Sequence, residues 1–279
     1  MTTDEIHLDD HAMTALEDRF AGALLRPGDD GYEEARTVWN GMIDRRPALI
    51  ARCRGADDVV AAVDFARETG APLSVRGGGH SVAGRGVCDD GVMIDLSPMN
   101  GVRVDPETRT ARVGGGATWG DFDGAAQEHG LATTGGLVSS TGVAGLTLGG
   151  GIGYLARAHG LAADNLIACD VVTADGRRVR ASEEENPDLF WGLRGGGGNF
   201  GVVTAFEFRL HPIGPEILTA QAFHPAGAAR EVLEFYRDFT AGAPDEVMCY
   251  GLVAHVPPAP PFPEESHGDT TIALVAAYA

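Results

Sequence analysis

Leu73-Ser74-Val75-Arg76-Gly77-Gly78-Gly79-His80-Ser81 is the stretch on which the reading of this chain turns. A short apolar run delivers the backbone into three consecutive glycines and then an imidazole. Upstream, Pro47 to Cys53 reads as a short strand, and from about Asp57 the residues Val59, Val60, Val63 and Ala66 share one helical face before Gly70 stops the helix. Strand, helix and strand make a β-α-β unit. A glycine loop at the end of its second strand lets backbone N–H groups converge on an anion. Taken alone, such a loop is equally a tight turn, because glycine serves positive-φ turns in general.

Downstream, Val92-Met93-Ile94 resumes as strand, and residues 102–113 alternate about the turn Asp105-Pro106-Glu107-Thr108, a hairpin. A helix is expected after Thr118 as N-cap, with Trp119 and Phe122 near its start and Gly130 at its end. Leu166 to Val172 and Arg178 to Arg180 flank Asp175-Gly176, a second hairpin. Asn186-Pro187 opens a helix carrying Leu189, Phe190, Trp191 and Leu193, and Val202 to Leu210 is a long alternating strand. Two further glycine-rich segments occupy residues 142–153 and 195–201. At the front, Met13, Leu16, Phe20, Leu24 and Leu25 give residues 1–40 a helical pattern ending in the turn Arg26-Pro27-Gly28-Asp29-Asp30.

His211-Pro212-Ile213-Gly214-Pro215 is the clearest boundary. Beyond it come a helix around Ala229 to Thr240, a proline-rich connector at 257–263 and an apolar strand from Thr271 to Tyr278. The pattern is still running at Ala279, so the last segment is expected to be an incomplete unit. The expectation is an α+β chain in three parts: an N-terminal helical segment over 1–40, a central domain over 41–213, and the start of another domain over 214–279.

Composition excludes several chemistries. All 21 basic residues are Arg, so neither a Walker A lysine nor a Schiff-base lysine exists. A net charge of −19 argues against nucleic acid as partner. High-salt adaptation and a GC-rich genome both account for the acidity, and the residues do not choose between them. Glycine, at 40 residues, runs at roughly twice its usual share of ~7%. The N-terminal residues carry neither a basic n-region nor an apolar h-region, and no apolar run approaches ~18 residues, so no membrane partner and a cytoplasmic location are expected. Cys53, Cys88, Cys169 and Cys249 are scattered and read as buried thiols; no metal site is expected.

Gly196-x-Gly198-x-x-Gly201 satisfies a dinucleotide-binding string but precedes a β-rich run instead of opening a helix, so it is rejected as a nicotinamide-nucleotide site. His80 differs from the other eight histidines in following a glycine loop at a strand end, where an imidazole would face whatever the loop holds; the competing reading of a lone His is a satisfied hydrogen-bonding residue.

Four segments in order, Arg76 to Ser81, Thr134 to Gly153, Gly160-Leu161-Ala162-Ala163-Asp164-Asn165, and Arg194 to Gly201, resemble the FAD-linked oxidases of the berberine-bridge-enzyme type, in the vanillyl-alcohol-oxidase superfamily with its PCMH-type FAD-binding domain. The likeness spans about residues 40–215. It implies two α+β subdomains holding FAD, followed by a substrate domain that is incomplete here. It also implies a cofactor site built from Arg76, Gly77, Gly78, Gly79, His80, Ser81, Val82 and Gly84, completed by Ser140, Thr141, Gly142, Gly145, Gly150, Gly153 and Val202. By the same resemblance His80 bonds the flavin 8α-methyl. The second, cysteinyl link of bicovalent relatives falls at about Val138, beside Ser139 and Ser140; none is Cys, so a single link is expected.

The implied function is oxidation of a small alcohol, amine or sugar-type substrate by hydride transfer to the flavin, with oxygen or another electron acceptor closing the cycle. The catalytic base remains unassigned. The alternative is a flavin-binding fragment without independent catalysis, needing a partner chain for its substrate domain; a noncovalent relative of the cell-wall-precursor reductases is a third reading.

Overall fold

The computed structural model describes residues 10–279. The first sheet collects the segments around the glycine loop. In chain order these are α1 (Asp10–Glu17), β1 (Ala23–Leu25), α2 (Tyr32–Arg36), β2 (Leu49–Arg52), α3 (Ala56–Thr69), β3 (Leu73–Arg76) and β4 (Val92–Asp95), with strand order β1-β2-β4-β3. β2, β4 and β3 are parallel, and β1 is antiparallel to β2. Every residue of β4 is buried, which is why Val92-Met93-Ile94 reads as a continuous apolar run. α3 stops where Gly70 turns left-handed at φ 69°, and Ala71 N–H returns to the Ala66 carbonyl. Its buried Asp58 accepts from the Ala21 and Arg54 backbones at 2.7 and 2.8 Å, tying the entry of the chain to the helix.

The leading helix is shorter than expected, and the part of that expectation before Asp10 lies outside the described residues. α1 ends at Glu17, and Leu24 and Leu25 belong to β1, paired with Ala51 and Ile50. Three residues matching a helical period fit a strand as well, and the open edge of β2 decided between them.

The second sheet is antiparallel, in order β5-β6-β10-β8-β9, from β5 (Val102–Asp105), β6 (Thr110–Gly114), β8 (Leu166–Val172), β9 (Arg178–Ser182) and β10 (Val202–Arg209). Both expected hairpins form, with Asp105 facing Thr110 and Val172 facing Arg178. One face packs on α4 (Trp119–Gln127), α5 (Val143–Leu148) and α7 (Pro187–Leu193) around Trp119, Phe122, Phe206 and Phe208. Thr118 caps α4 as expected, in a box with Asp121. Pro187 is the first residue of α7, but Asn186 sits left-handed at φ 51° and sends its side chain to the Arg180 carbonyl instead of capping. The opposite face is polar: Arg180 grips Glu207 through two bonds of 3.0 and 2.7 Å. Val172 and Val202 from this sheet join Ala51 and Ile94 of the first, and Val59 of α3, in one cluster.

At the exit, β7 (Leu131–Ala132) pairs with β11 (His211–Pro212), so the proline-marked boundary begins as a short strand. The final segment forms an antiparallel sheet, β12 (Leu218–Pro225), β14 (Thr270–Tyr278) and β13 (Val247–His255), in that order, with α8 (Ala229–Gly242) against it. α8 and β14 were expected; β12 and β13 were not. The four thiols are free; Cys53, Cys169 and Cys249 are buried as expected, whereas Cys88 is half-buried.

Candidate functional site

The crevice outside the carboxyl ends of parallel strands is where open α/β sheets hold ligands. Here it is framed by β3 and β4 ending together, with Arg76 opposite Asp95. Asp95 is buried and satisfied by Arg52 Nε at 3.1 Å and by Ser97 N and Oγ, both at 3.0 Å. It fixes the strand ends and is not a free acid. Past β3 the chain enters the glycine loop. Among the described residues, the N–H groups of Gly77 to Ser81 donate to no backbone carbonyl, leaving a run of open donors. Arg76 points back from this loop, with Nη1 on the Ala35 carbonyl at 2.8 Å, while its buried Nε, under the Gly79 turn, has no partner.

The facing wall comes from the segment between β7 and α5, in the helical layer over the second sheet. Residues 139–143 are strapped along the start of α4 by Gly120 N–H to Ser139 O (2.8 Å), Trp119 N–H to Thr141 O (2.9 Å) and Val143 N–H to Ala117 O (2.9 Å). The two walls meet main chain to main chain. A Cβ on Gly78 would lie 2.3 Å from Gly142 N, and one on Gly142 would lie 2.4 Å from Gly78 N. Beyond this contact Gly145 is exposed on α5, with nothing within 4 Å of where its Cβ would stand.

His80 spans the two walls. Its Nε2 lies 3.0 Å from Ser140 Oγ, and burial holds its pKa below the ordinary 6.5. The neutral imidazole, with a nucleophilic ring nitrogen, is therefore its standing form at neutral pH. Apolar side chains are left uncovered on the same loops, Val82 at 72% exposure and Val138 at 53%. Open N–H donors, bare glycine and uncovered apolar surface fit the phosphates and flat ring system of a flavin nucleotide.

The expected residues do not all converge. Gly77, Gly78 and His80 face Ser140, Thr141 and Gly142 across the crevice, whereas Gly79 turns over the Arg76 guanidinium. Ser81 and Gly84 close the next turn, where Gly84 N–H reaches Ser81 O at 3.0 Å and φ is 69°. Gly150, at φ 105°, turns the chain so that Ala163 N–H bonds its carbonyl at 2.9 Å. Gly153 owes its missing side chain to packing, since a Cβ would lie 1.9 Å from Gly135 O. Val202 is buried in the shared core and paired with Val172, so only its backbone is available to a ligand. The glycine loop at 195–201 also serves packing: the Phe200 ring fills the space beside Gly192 and Gly196, and β10 follows directly, as the rejected dinucleotide string requires.

Reading by motif missed Trp39 and Asn40. Trp39 donates its N–H to Gly79 O at 3.0 Å and stacks its ring on His80, while Asn40 Nδ2 bonds Val82 O at 2.7 Å. Their one signal was an aromatic residue off any apolar period.

The segment Gly160 to Asn165, which follows α6 (Ala156–His159), works as a tie. Arg194 Nε reaches Ala163 O at 3.0 Å, Thr134 Oγ1 reaches Gly160 O at 2.8 Å, and Asn165 Nδ2 holds the carbonyls of His159 and Leu161, both at 2.9 Å. That leaves Asn165 Oδ1 to accept from His211 Nε2 at 2.7 Å, with the His159 ring stacked 3.8 Å away. Burial, then the neighbouring His159 and Arg209, push the His211 pKa from 6.5 down to about 4. The unfolded chain therefore binds more protons between those values, so the stability from a neutral His211 is present above pH 6.5 and is lost as pH falls toward 4. His211→Gln is expected to flatten the fall of the urea midpoint across that window; an unchanged slope would exclude His211 as its source.

No helix among the described residues is long and apolar enough to cross a membrane, and no group of three His, Cys, Asp or Glu among them is placed to hold a metal ion. Comparison with known proteins gives the site its class. Residues 47–182 match the family model described as FAD binding domain. Residues 47–182 are thus an FAD-binding domain, shared with the PCMH-type oxidases that the chain resembles. It is 41% identical over 197 residues to (R)-6-hydroxynicotine oxidase of Paenarthrobacter nicotinovorans, covering 71% of this chain and 43% of that protein. An FAD-linked oxidoreductase of Dictyostelium discoideum is 36% identical, over 82% of this chain and 50% of its own length. The crystal structure of 6-hydroxy-D-nicotine oxidase from Arthrobacter nicotinovorans superposes with a TM-score of 0.85 at 32% identity, covering 93% of this chain and 56% of that one. The chain thus spans about half the length of the curated relatives it matches.

Proposed function

We propose that the chain is the flavin-holding part of an FAD-dependent oxidoreductase that oxidises a small alcohol, amine or sugar-type substrate, with FAD joined to the protein through His80. The observation that carries this is the placement of a neutral imidazole, anchored at Nε2 by Ser140, beside a run of open backbone donors. Gly77 to Ser81 and the 140–142 wall would hold the cofactor's phosphates, and Val82 and Val138 would cover its ring system. When bound, the flavin supplies acceptance of a hydride from the substrate carbon, with dioxygen or another acceptor taking the electrons onward. The protein's part is to bind, orient and exclude water, and to keep His80 unprotonated. Oxidases of nicotine derivatives and carbohydrates among the similar proteins support a small-molecule substrate.

A second reading has its own support. β12 is exposed along nearly its whole length, and among the described residues none in the crevice is placed as a catalytic base, so substrate binding would need further protein, in the same chain or in a partner chain. Turnover of an alcohol, amine and sugar panel by this chain alone would remove that reading.

The direct test of the first is acid precipitation of the chain loaded with FAD. Flavin is expected in the washed pellet, stoichiometric with the chain; flavin wholly in the supernatant of a folded preparation would refute the covalent link.

A further inference from the structure

We infer that Trp39 is a positioning residue for the covalent step at His80, its indole setting the plane of the imidazole that bonds the flavin. This rests on the reading that His80 carries the cofactor. Trp39 lies between α2 and β2, far from His80 in sequence. Trp39 is 63% exposed, so no core packing fixes its ring. That ring lies on His80, centroids 5.2 Å apart and planes 19° from parallel.

The contact is built in. Trp39 N–H is fixed to Gly79 O, Asn40 Nδ2 to Val82 O, and Arg45 Nη1 to Gly84 O at 3.0 Å and Val87 O at 2.9 Å. The segment 39–45 thus backs the His80 loop from one residue before the imidazole to seven after it. Ser140 holds Nε2 from the other wall. An imidazole free to turn about its χ angles samples several rotamers, whereas one held at a face and at one nitrogen has a single orientation.

In the step itself a ring nitrogen of His80 forms a bond to the methyl carbon on flavin C8. The nitrogen and that carbon each lose one hydrogen; two electrons and two protons pass to the flavin ring system. Dioxygen then takes both pairs, leaving as hydrogen peroxide and restoring the oxidised cofactor. The indole takes no part in the bond changes. It holds the nitrogen's line of approach.

The test follows covalent incorporation in flavin-free full chain after FAD is added, by flavin fluorescence in acid pellets taken over time. Initial noncovalent binding is measured in parallel by flavin fluorescence quenching. Trp39→Ala is expected to slow incorporation by about tenfold or more while FAD affinity stays within about twofold, and Trp39→Phe to recover most of the rate. Incorporation by Trp39→Ala at the wild-type rate would overturn the role of Trp39 and leave the His80 link standing. A slow step that Trp39→Phe does not recover, or equal loss of affinity and rate, would mark Trp39 as merely structural. Absence of covalent flavin in the wild-type chain would overturn both readings together.

Discussion

His80→Ala is expected to move all bound flavin from the acid pellet to the supernatant while the chain stays folded and still binds FAD reversibly. No neighbouring group can substitute for the imidazole. Ser81 and Ser140 present hydroxyls with no base placed to activate them, and Cys88 is half-buried with its thiol pKa raised by burial, its sulfur 3.3 Å from Ser74 Oγ. The native ring makes one side-chain hydrogen bond and one stack, so the loss of stability should be about 1 kcal/mol or less. Flavin retained in the pellet of this variant would place the link elsewhere, and peptide mass mapping would then find it.

The second large effect belongs to a position with no side chain. Gly78→Ala puts a methyl group 2.3 Å from Gly142 N and 2.4 Å from its Cα, against main chain that cannot rotate away. The two walls must separate, at about 1–3 kcal/mol of strain, and a crevice matched to the cofactor should lose about a hundredfold or more in FAD affinity. Gly145→Ala is the control, since nothing lies within 4 Å of its new methyl and alanine favours the helix by about 1 kcal/mol. It is expected to keep or gain thermal stability, with any loss confined to FAD affinity if the cofactor lies over that face. Wild-type affinity in Gly78→Ala, read by fluorescence titration, would show that the contact between walls does not shape the crevice.

What could be read from the residues was what neighbouring residues decide among themselves. The run from Leu73 to Ser81, the stop at Gly70, the cap at Thr118 and the turn at Asp175-Gly176 each express a local preference that the tertiary structure leaves intact. Leu24 and Leu25 failed because three residues carry too little period to separate helix from strand, and the edge of β2 supplied the answer from far along the chain. β12 was invisible for a related reason: Leu218 to Pro225 lacks a buried face to impose alternation, and its extended form comes from pairing with β14. In the candidate site, the resemblance supplied the His80 and Ser140 loops. Trp39 escaped it because its contact with His80 joins residues 41 positions apart, found only by folding.

The meeting of Gly78 with Gly142 also bears on how such a protein can change over time. A spacing set by two stretches of bare main chain is indifferent to the identity of the side chains around it. Val82, Val138 and their neighbours can drift in size and polarity, retuning what the crevice welcomes, while its gauge stays constant. The same indifference makes the two glycines brittle points of inheritance, where a single added methyl is felt on both walls at once.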